Sequence, residues 1–190
     1  MVKPTRGAQR SPWARLTGAI YVAYFATTIG ATLVQSRVPE AIEIAGNLLA
    51  LVLYAITTLL FYDLFKPVNR RLSLAAALVS LAGCMVGSLD LFHVPTYNLN
   101  PLFFFGPYCL LLGILILGST FLPRILGALM VLAGLGWLAF LVPALAKHMG
   151  TGIEVLGVAA EGLLMLWLLA MGVNVQRWQK QARTQETAVR

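Results

Sequence analysis

The sequence predicts an all-α fold, a polytopic integral membrane bundle of six transmembrane helices with both termini in the cytoplasm. Of its 190 residues, 59% are hydrophobic and only 11% are charged, whereas soluble domains contain roughly 25% charged residues. The mean hydropathy is +0.81. The apolar residues form continuous runs of about 20 residues, the length at which a helix crosses a bilayer. Lysines and arginines fall between these runs in an uneven pattern that predicts their orientation.

Six apolar segments account for most of the chain, and their continuity is unlike the two-residue alternation of a barrel strand. Prolines mark their boundaries: Pro67 follows the second segment, Pro95 follows the third, and Pro123 is the first residue of the fifth. The stretch 147–152, with two glycines and a lysine, is predicted to separate the fifth from the sixth. The predicted spans are Arg15–Gln35, Ile44–Phe65, Leu72–Phe92, Pro101–Thr120, Pro123–Ala146 and Ile153–Asn174.

The basic residues predict the topology. Twelve of the fourteen Lys and Arg residues fall on the side of the two termini, and only Arg37 and Lys147 fall on the other. Since cytoplasmic loops are enriched in these residues, residues 1–14 are predicted as a basic cytoplasmic segment, 15–174 as the transmembrane domain and 175–190 as a basic cytoplasmic tail. These ends would contact anionic lipid headgroups of the cell inner membrane, and their placement argues against nucleic-acid binding. The aromatic residues predicted at the membrane interface are Trp13, Tyr97 and Trp178.

Polar side chains recur on one face of several predicted spans. Because lipid cannot satisfy their hydrogen bonds, these faces are predicted to meet inside the bundle. The run "GCMVG" in the third span has the small-xxx-small spacing that admits a close neighbouring helix. The stripes are Tyr21, Tyr24, Thr28, Thr32 and Gln35 in the first span, Asn47, Tyr54 and Thr58 in the second, Ser80, Gly83, Gly87 and Asp90 in the third, and Glu154 and Glu161 in the sixth.

Glu161 lies inside the last apolar run, about 8 residues and therefore about 12 Å from its outer end. A charge at the bilayer centre costs on the order of 2.5–3.5 kcal/mol. Protonation, hydrogen bonds across the bundle, a water-filled cavity or a bound cation would each reduce this cost. We predict that the outer half of the bundle binds or passes a small apolar or weakly polar molecule, with a purely structural hydrogen bond as the alternative. The predicted ligand-binding residues are Glu161, Tyr54, Tyr24, Asn47 and Asp90.

A membrane-embedded enzyme is a second hypothesis. Asp90 and His93 are three residues apart and would be neighbours on a helix, with Glu43 and Glu154 at similar depth. Asp90, His93, Glu43 and Glu154 are the predicted metal-binding residues. In the enzyme hypothesis Asp90, His93, Glu43 and Glu161 would converge on a metal ion or act as general acid and base on a lipid-borne substrate. The sequence contains no Walker loop and no GxSxG, HExxH or CxxC motif, and it indicates no particular cofactor.

A structural or accessory subunit is the third hypothesis. Such a bundle would pair with a partner or with a second copy through the glycine faces Gly83/Gly87 and Gly127/Gly134.

Four stretches of the chain resemble a known family. They are "ARLTGAIYVAYF", "FKPVNRRLSLAAALVSL", "STFLPRILGALMVLAGLGWL" and "EGLLMLWLLAMGVN". They resemble DUF4386, a family of bacterial membrane proteins of unknown function, and the resemblance extends from Ala14 to Asn174. It implies a six-helix protein of the bacterial inner membrane, in which a glutamate such as Glu161 opens the last helix, and it implies no activity.

Overall fold

The described residues confirm an all-α fold. The computed structural model describes residues 10–34, 37–95 and 101–188, and within these ranges it contains helices and turns but no strand. The helices are α1 (Arg10–Val34), α2 (Glu40–Phe65), α3 (Arg70–Leu91), α4 (Leu102–Gly118), α5 (Arg124–Ala139), α6 (Pro143–Ala170) and α7 (Val175–Ala188).

The first six helices form a closed ring in sequence order. Each packs against the next along the chain, and α6 packs against α1. Short connections join them, so neighbouring helices run in opposite directions. We call the end with the α2–α3 and α4–α5 turns the basic end, and the opposite end the acidic end. By length and composition, four of the described helices could cross a membrane: Trp13–Val34, Glu40–Phe65, Arg70–Leu91 and Pro143–Ala170.

The two remaining ring helices are apolar but shorter. α4 has 17 residues and α5 has 16. The close packing between them depends on glycine, because a Cβ at Gly134 would lie 2.7 Å from the backbone N of Leu110, and one at Gly127 would lie 2.8 Å from that of Leu117. The face predicted to meet a partner through Gly127 and Gly134 is therefore already occupied by α4 of the same chain.

The start of α6 differs from the prediction. The sequence predicts a turn at 147–152 and a fifth span continuing to Ala146, whereas α5 ends at Ala139 and α6 begins at Pro143. Proline is favoured at the first helical position, because its missing N–H needs no partner there. The glycines at 150 and 152 weaken a helix by only about 1 kcal/mol each and do not interrupt this one.

The C-terminal segment also differs from a simple tail, because α7 packs across the basic end of the ring. The Trp178 indole N–H donates to the Leu64 carbonyl over 2.9 Å, and the Gln181 side-chain amide donates to the Gly118 carbonyl over 3.0 Å. These carbonyls belong to the last turns of α2 and α4, where the helix itself supplies no donor. Trp178 is buried, so its prediction as an interfacial residue is wrong. Trp13 is exposed, and Tyr97 lies outside the described residues.

Candidate functional site

A pocket of about 490 Å³ lies between α1, α2, α3 and α4, in the half of the ring nearer the acidic end. Along α3 its lining runs from Ser80 to Leu91, a helical rise of about 16 Å. It reaches the acidic end of the ring at Asp90 and Pro101, which are both exposed. The remaining lining residues are Tyr24, Thr28, Asn47, Ala50, Leu51, Tyr54, Gly83, Cys84, Gly87, Leu91, Phe104 and Phe105.

The predicted polar stripes of the first three spans meet around this pocket. Tyr24 and Thr28 reach it from α1, and Asn47 and Tyr54 from α2. At its inner end the hydroxyls of Thr58 and Ser80 are 2.7 Å apart and share a hydrogen bond between α2 and α3. The other predicted stripe positions of α1 behave differently: the Thr32 hydroxyl donates to the Thr28 carbonyl of its own helix, and Gln35 lies outside the described residues.

Small residues give the pocket its width on the α3 side. A Cβ at Gly83 would lie 2.8 Å from Cβ of Phe104, so this glycine sets the approach of α4. A Cβ at Gly87 would contact only Leu51, at an ordinary 3.6 Å, and a longer side chain there would enter the pocket. The glycine face predicted for contact with a partner thus lines a pocket within the chain.

The hydroxyl of Tyr54 has no hydrogen-bond partner among the described residues. Its side chain lines the pocket and is only 8% exposed. A buried hydroxyl without a partner costs about 1–3 kcal/mol relative to a satisfied one. Such a group at the wall of a pocket is what a ligand with a complementary polar atom would satisfy.

Glu161 does not line the pocket among the described residues. It is 4% exposed, and its Oε2 accepts a hydrogen bond of 2.5 Å from the hydroxyl of Tyr21. This bond ties α6 to α1 at the point where the ring closes. Of the arrangements that would reduce the cost of a mid-span carboxyl group, the described contacts provide the hydrogen bond across the bundle. Its donor, Tyr21, is not among the five predicted ligand-binding residues.

An aromatic cluster separates Glu161 from the pocket. The rings of Tyr21 and Tyr24 have centroids 6.0 Å apart and are nearly parallel. The rings of Tyr24 and Tyr54 approach to 4.9 Å. Glu161, Tyr21, Tyr24 and Tyr54 are therefore connected in series, and the last two line the pocket. A change at Glu161 would reach the pocket wall at Tyr24 through one hydrogen bond and one ring contact, and Tyr54 through a second ring contact.

The residues of the predicted metal site are not brought together. The described residues contain no group of three or more His, Cys, Asp or Glu side chains that could hold a metal ion. Nε2 of His93 lies 4.0 Å from a carboxylate oxygen of Glu40, and both side chains are largely exposed. Asp90 lines the pocket, and Glu43 is half-buried on α2.

Glu154 is exposed although it lies seven residues before the buried Glu161. The buried residues of α6 in this region are Ile153, Gly157 and Ala160, which shifts the buried face by one position at its outer end. A straight helix turns by about 20° relative to each seven-residue step. Glu154 and Glu161 share a face by their spacing, but they differ in exposure because Glu154 lies near the level where the neighbouring helices end.

Sequence reasoning missed Cys84, Phe104 and Phe105 as lining residues. The residue type of Cys84 indicates only a small apolar side chain, but its position between Gly83 and Gly87 on the predicted polar face is the signal that could have identified it. The two phenylalanines come from α4, which has no polar stripe to indicate which face points inward. The second cysteine, Cys109, is fully buried.

Comparisons with known proteins identify relatives without an assigned activity. The sequence model of the family described as "Domain of unknown function (DUF4386)" matches residues 85–172, which include all of α4, α5 and α6. An uncharacterised protein of Archaeoglobus fulgidus is 26% identical, over 70% of this chain and 86% of its own length. No solved structure matches the chain. The resemblance to DUF4386 predicted from the sequence is therefore confirmed over residues 85–172.

Proposed function

We propose that this chain is a six-span protein of the cell inner membrane, with both termini in the cytoplasm, that binds a small, largely apolar molecule in the pocket between α1 and α4. The observation that carries the proposal is the Tyr54 hydroxyl, which is buried at the pocket wall and has no hydrogen-bond partner among the residues that the structure describes. The pocket volume of about 490 Å³ falls in the range of small-molecule sites.

The closed ring supports six spans rather than four. α4 and α5 would be about 25 Å and 24 Å long at 1.5 Å per residue, against a hydrocarbon core of about 30 Å. α4 packs against the long apolar helix α3, α5 packs against the long apolar helix α6, and the two short helices pack against each other, so they occupy the same layer. A bilayer adapts to a shortfall of about 5 Å by local thinning at a modest cost.

The charge distribution supports the orientation. The basic end carries Lys66, Arg70 and Arg71 in the α2–α3 turn, and α7 adds further basic residues across that face. Arg37 and Lys147 are the two Lys or Arg residues that the sequence places at the acidic end. By the positive-inside rule the basic end faces the cytoplasm.

Orientation is tested by cysteine labelling in intact cells. In a chain with Cys84 and Cys109 replaced by alanine, a cysteine at 147 should react with a membrane-impermeant maleimide from outside. A cysteine at 183 should react only after the inner membrane is permeabilised. The reverse pattern would overturn the orientation, and labelling of both positions from outside would overturn the six-span topology.

The packing of the ring supports binding rather than passage. Toward the basic end its interior contains fully buried apolar side chains, among them Phe65, Leu112 and Leu164. Interiors packed with such residues have few voids larger than a water molecule. The pocket described by the lining residues ends at the level of Tyr54 and Ser80.

In this proposal Glu161 is a positioning residue. Its hydrogen bond holds the Tyr21 ring, which stacks on Tyr24 at the pocket wall. Tyr24, Asn47, Tyr54 and Asp90 supply the polar contacts to the ligand, and leucine and phenylalanine side chains supply the apolar surface.

The proposal is tested by filling the pocket. Gly87→Leu would place an isobutyl group in it, with only Leu51 near the new Cβ. Gly152→Leu is the matched control, because no atom of the described residues lies within 4 Å of a Cβ at that exposed helical position. Small molecules that co-purify with the unmodified protein, measured by mass spectrometry of organic extracts, should be lost from Gly87→Leu and retained by Gly152→Leu.

Cys84 reports whether the pocket itself is accessible. It lines the pocket, whereas Cys109 is fully buried. N-ethylmaleimide should modify Cys84 but not Cys109 in the purified protein, and Gly87→Leu should slow that modification. If both glycine variants retain the same molecules and Cys84 reacts equally in both, the ligand-binding proposal is wrong.

A further inference from the structure

We infer that the pocket receives a hydrophobic organic cation, an aryl or alkyl ammonium group; this inference rests on the proposed ligand-binding function. Among the described residues that line the pocket, Asp90 is the one charged side chain. It lies at the acidic end of α3, where the pocket reaches the surface. A cationic group entering there would meet a carboxylate, and an anionic group would meet like charge.

No basic side chain compensates the carboxylate along the lining segments. The sequence contains no Lys or Arg within residues 16–36, 38–65 or 72–123, which include every stretch that lines the pocket. The surrounding end of the ring is acidic by formal charge. It carries four acidic residues and two basic ones, which are Glu40, Glu43, Asp90 and Glu154, and Arg37 and Lys147.

The deeper wall offers aromatic and hydroxyl groups. Tyr24, Tyr54, Phe104 and Phe105 all line the pocket, and aromatic rings attract ammonium groups over their faces, with a preference for cations that shed water easily. Tyr54 is a second, independent indication of a ligand, because its buried hydroxyl has no hydrogen-bond partner in the described part of the chain. The oxygen of that hydroxyl can accept a hydrogen bond from an ammonium N–H or face a quaternary ammonium group directly.

The inference is tested with three probes of one shape and different charge. Benzyltrimethylammonium is the cation, neopentylbenzene its uncharged carbon isostere, and phenylmethanesulfonate the anion. The measurement is the protection of Cys84 from N-ethylmaleimide as a function of probe concentration, in the full-length protein in a nonionic detergent. Cys109 serves as the internal control for unfolding, because it should stay unmodified throughout.

The cation should protect Cys84 at a concentration about tenfold lower than the neutral isostere, a preference of about 1.4 kcal/mol, and the anion should not protect. Asp90→Asn should reduce this preference at least about threefold, and Asp90→Glu should keep most of it. Asp63→Asn is the matched control, because it removes the same group from α2 at the basic end of the ring, the end opposite Asp90 on α3, and it should leave the preference unchanged.

The outcomes separate the two proposals. Equal protection by the cation and the isostere, with Gly87→Leu abolishing both, would overturn the charge inference while supporting a binding pocket. A cation preference that persists in Asp90→Asn would also overturn it, because the charge would then be recognised elsewhere. Absence of protection by any probe, with Cys84 reacting alike in Gly87→Leu and Gly152→Leu, would overturn the proposed function itself.

Discussion

The hydrogen bond between Tyr21 and Glu161 should hold α1 against α6, and Tyr21→Phe is the perturbation that tests it. The substitution removes one hydroxyl and keeps the ring. That residue is 1% exposed, and its ring stacks on Tyr24 and contacts Phe61 in a T-shaped arrangement. The ring contacts therefore survive. What is lost is the 2.5 Å bond to the carboxyl group of Glu161, which is itself only 4% exposed.

The expected cost follows from what the substitution leaves behind. Leaving a buried carboxyl group without its hydroxyl donor destabilises the folded protein by about 1–3 kcal/mol. Hydrogen bonds between membrane helices average about 0.6 kcal/mol and reach about 1.7 kcal/mol. The short distance and full burial of this bond place it near the upper figure, so we expect Tyr21→Phe to lower the free energy of unfolding by about 1.5–2 kcal/mol.

Tyr54→Phe is a matched control within the same cluster. It removes the same group from a ring of similar burial, but that hydroxyl has no partner among the described residues. Its removal should change the free energy of unfolding by less than about 0.5 kcal/mol, or stabilise the ligand-free protein. The two tyrosines thus predict different results for one chemical change.

The assay is unfolding by sodium dodecyl sulfate in mixed micelles, followed by circular dichroism, as a double-mutant cycle of Tyr21→Phe with Glu161→Leu. The double variant should be less destabilised than the sum of the single variants, by a coupling energy of about 1–2 kcal/mol. Glu161→Gln keeps a carbonyl acceptor for the Tyr21 hydroxyl and should cost less than Glu161→Leu. Additive single effects, or equal effects of Tyr21→Phe and Tyr54→Phe, would refute the assignment of this bond as a tie between α1 and α6.

Three further changes test the packing of the ring. Trp178→Phe should lower the free energy of unfolding by about 1–2 kcal/mol, because the Leu64 carbonyl loses its donor; unchanged stability would show that α7 does not hold the basic end. Gly134→Ala should cost about 1–3 kcal/mol by forcing α4 and α5 apart, whereas Gly152→Ala should stabilise by about 0.5–1 kcal/mol, and equal effects would contradict the close approach. Asn69→Ala should lower the free energy of unfolding by about 1 kcal/mol, because the Asn69 side chain caps the first turn of α3. Unchanged stability of this variant would argue against the cap. Chemical denaturation of each variant measures these differences.

The composition and the helical repeat were enough to predict the kind of molecule and the inward-facing positions. Transfer of apolar surface out of water depends on residue type, so the all-helical, membrane-like character is a property of the sequence itself. The spacing of Ser80, Gly83, Gly87 and Asp90 places them on one helical face whatever surrounds it, and all four line the pocket. Tyr24 and Asn47 were predicted for the same reason.

The pairing of those positions was decided only by the tertiary structure. Helical spacing gives the direction of a side chain about its own axis, but it does not give the depth or rotation of one helix against another, which depends on close contacts such as that of Gly83 with Phe104. That packing gives Glu161 a hydroxyl donor from Tyr21. It leaves the Tyr54 hydroxyl at the pocket wall with no hydrogen-bond partner in the ranges 10–34, 37–95 and 101–188. Of two tyrosines predicted in the same interior, one therefore has a hydrogen bond and the other has none among the described residues. A hydrogen bond needs a donor–acceptor distance of about 3 Å and a suitable angle, and a sequence repeat does not specify positions that closely.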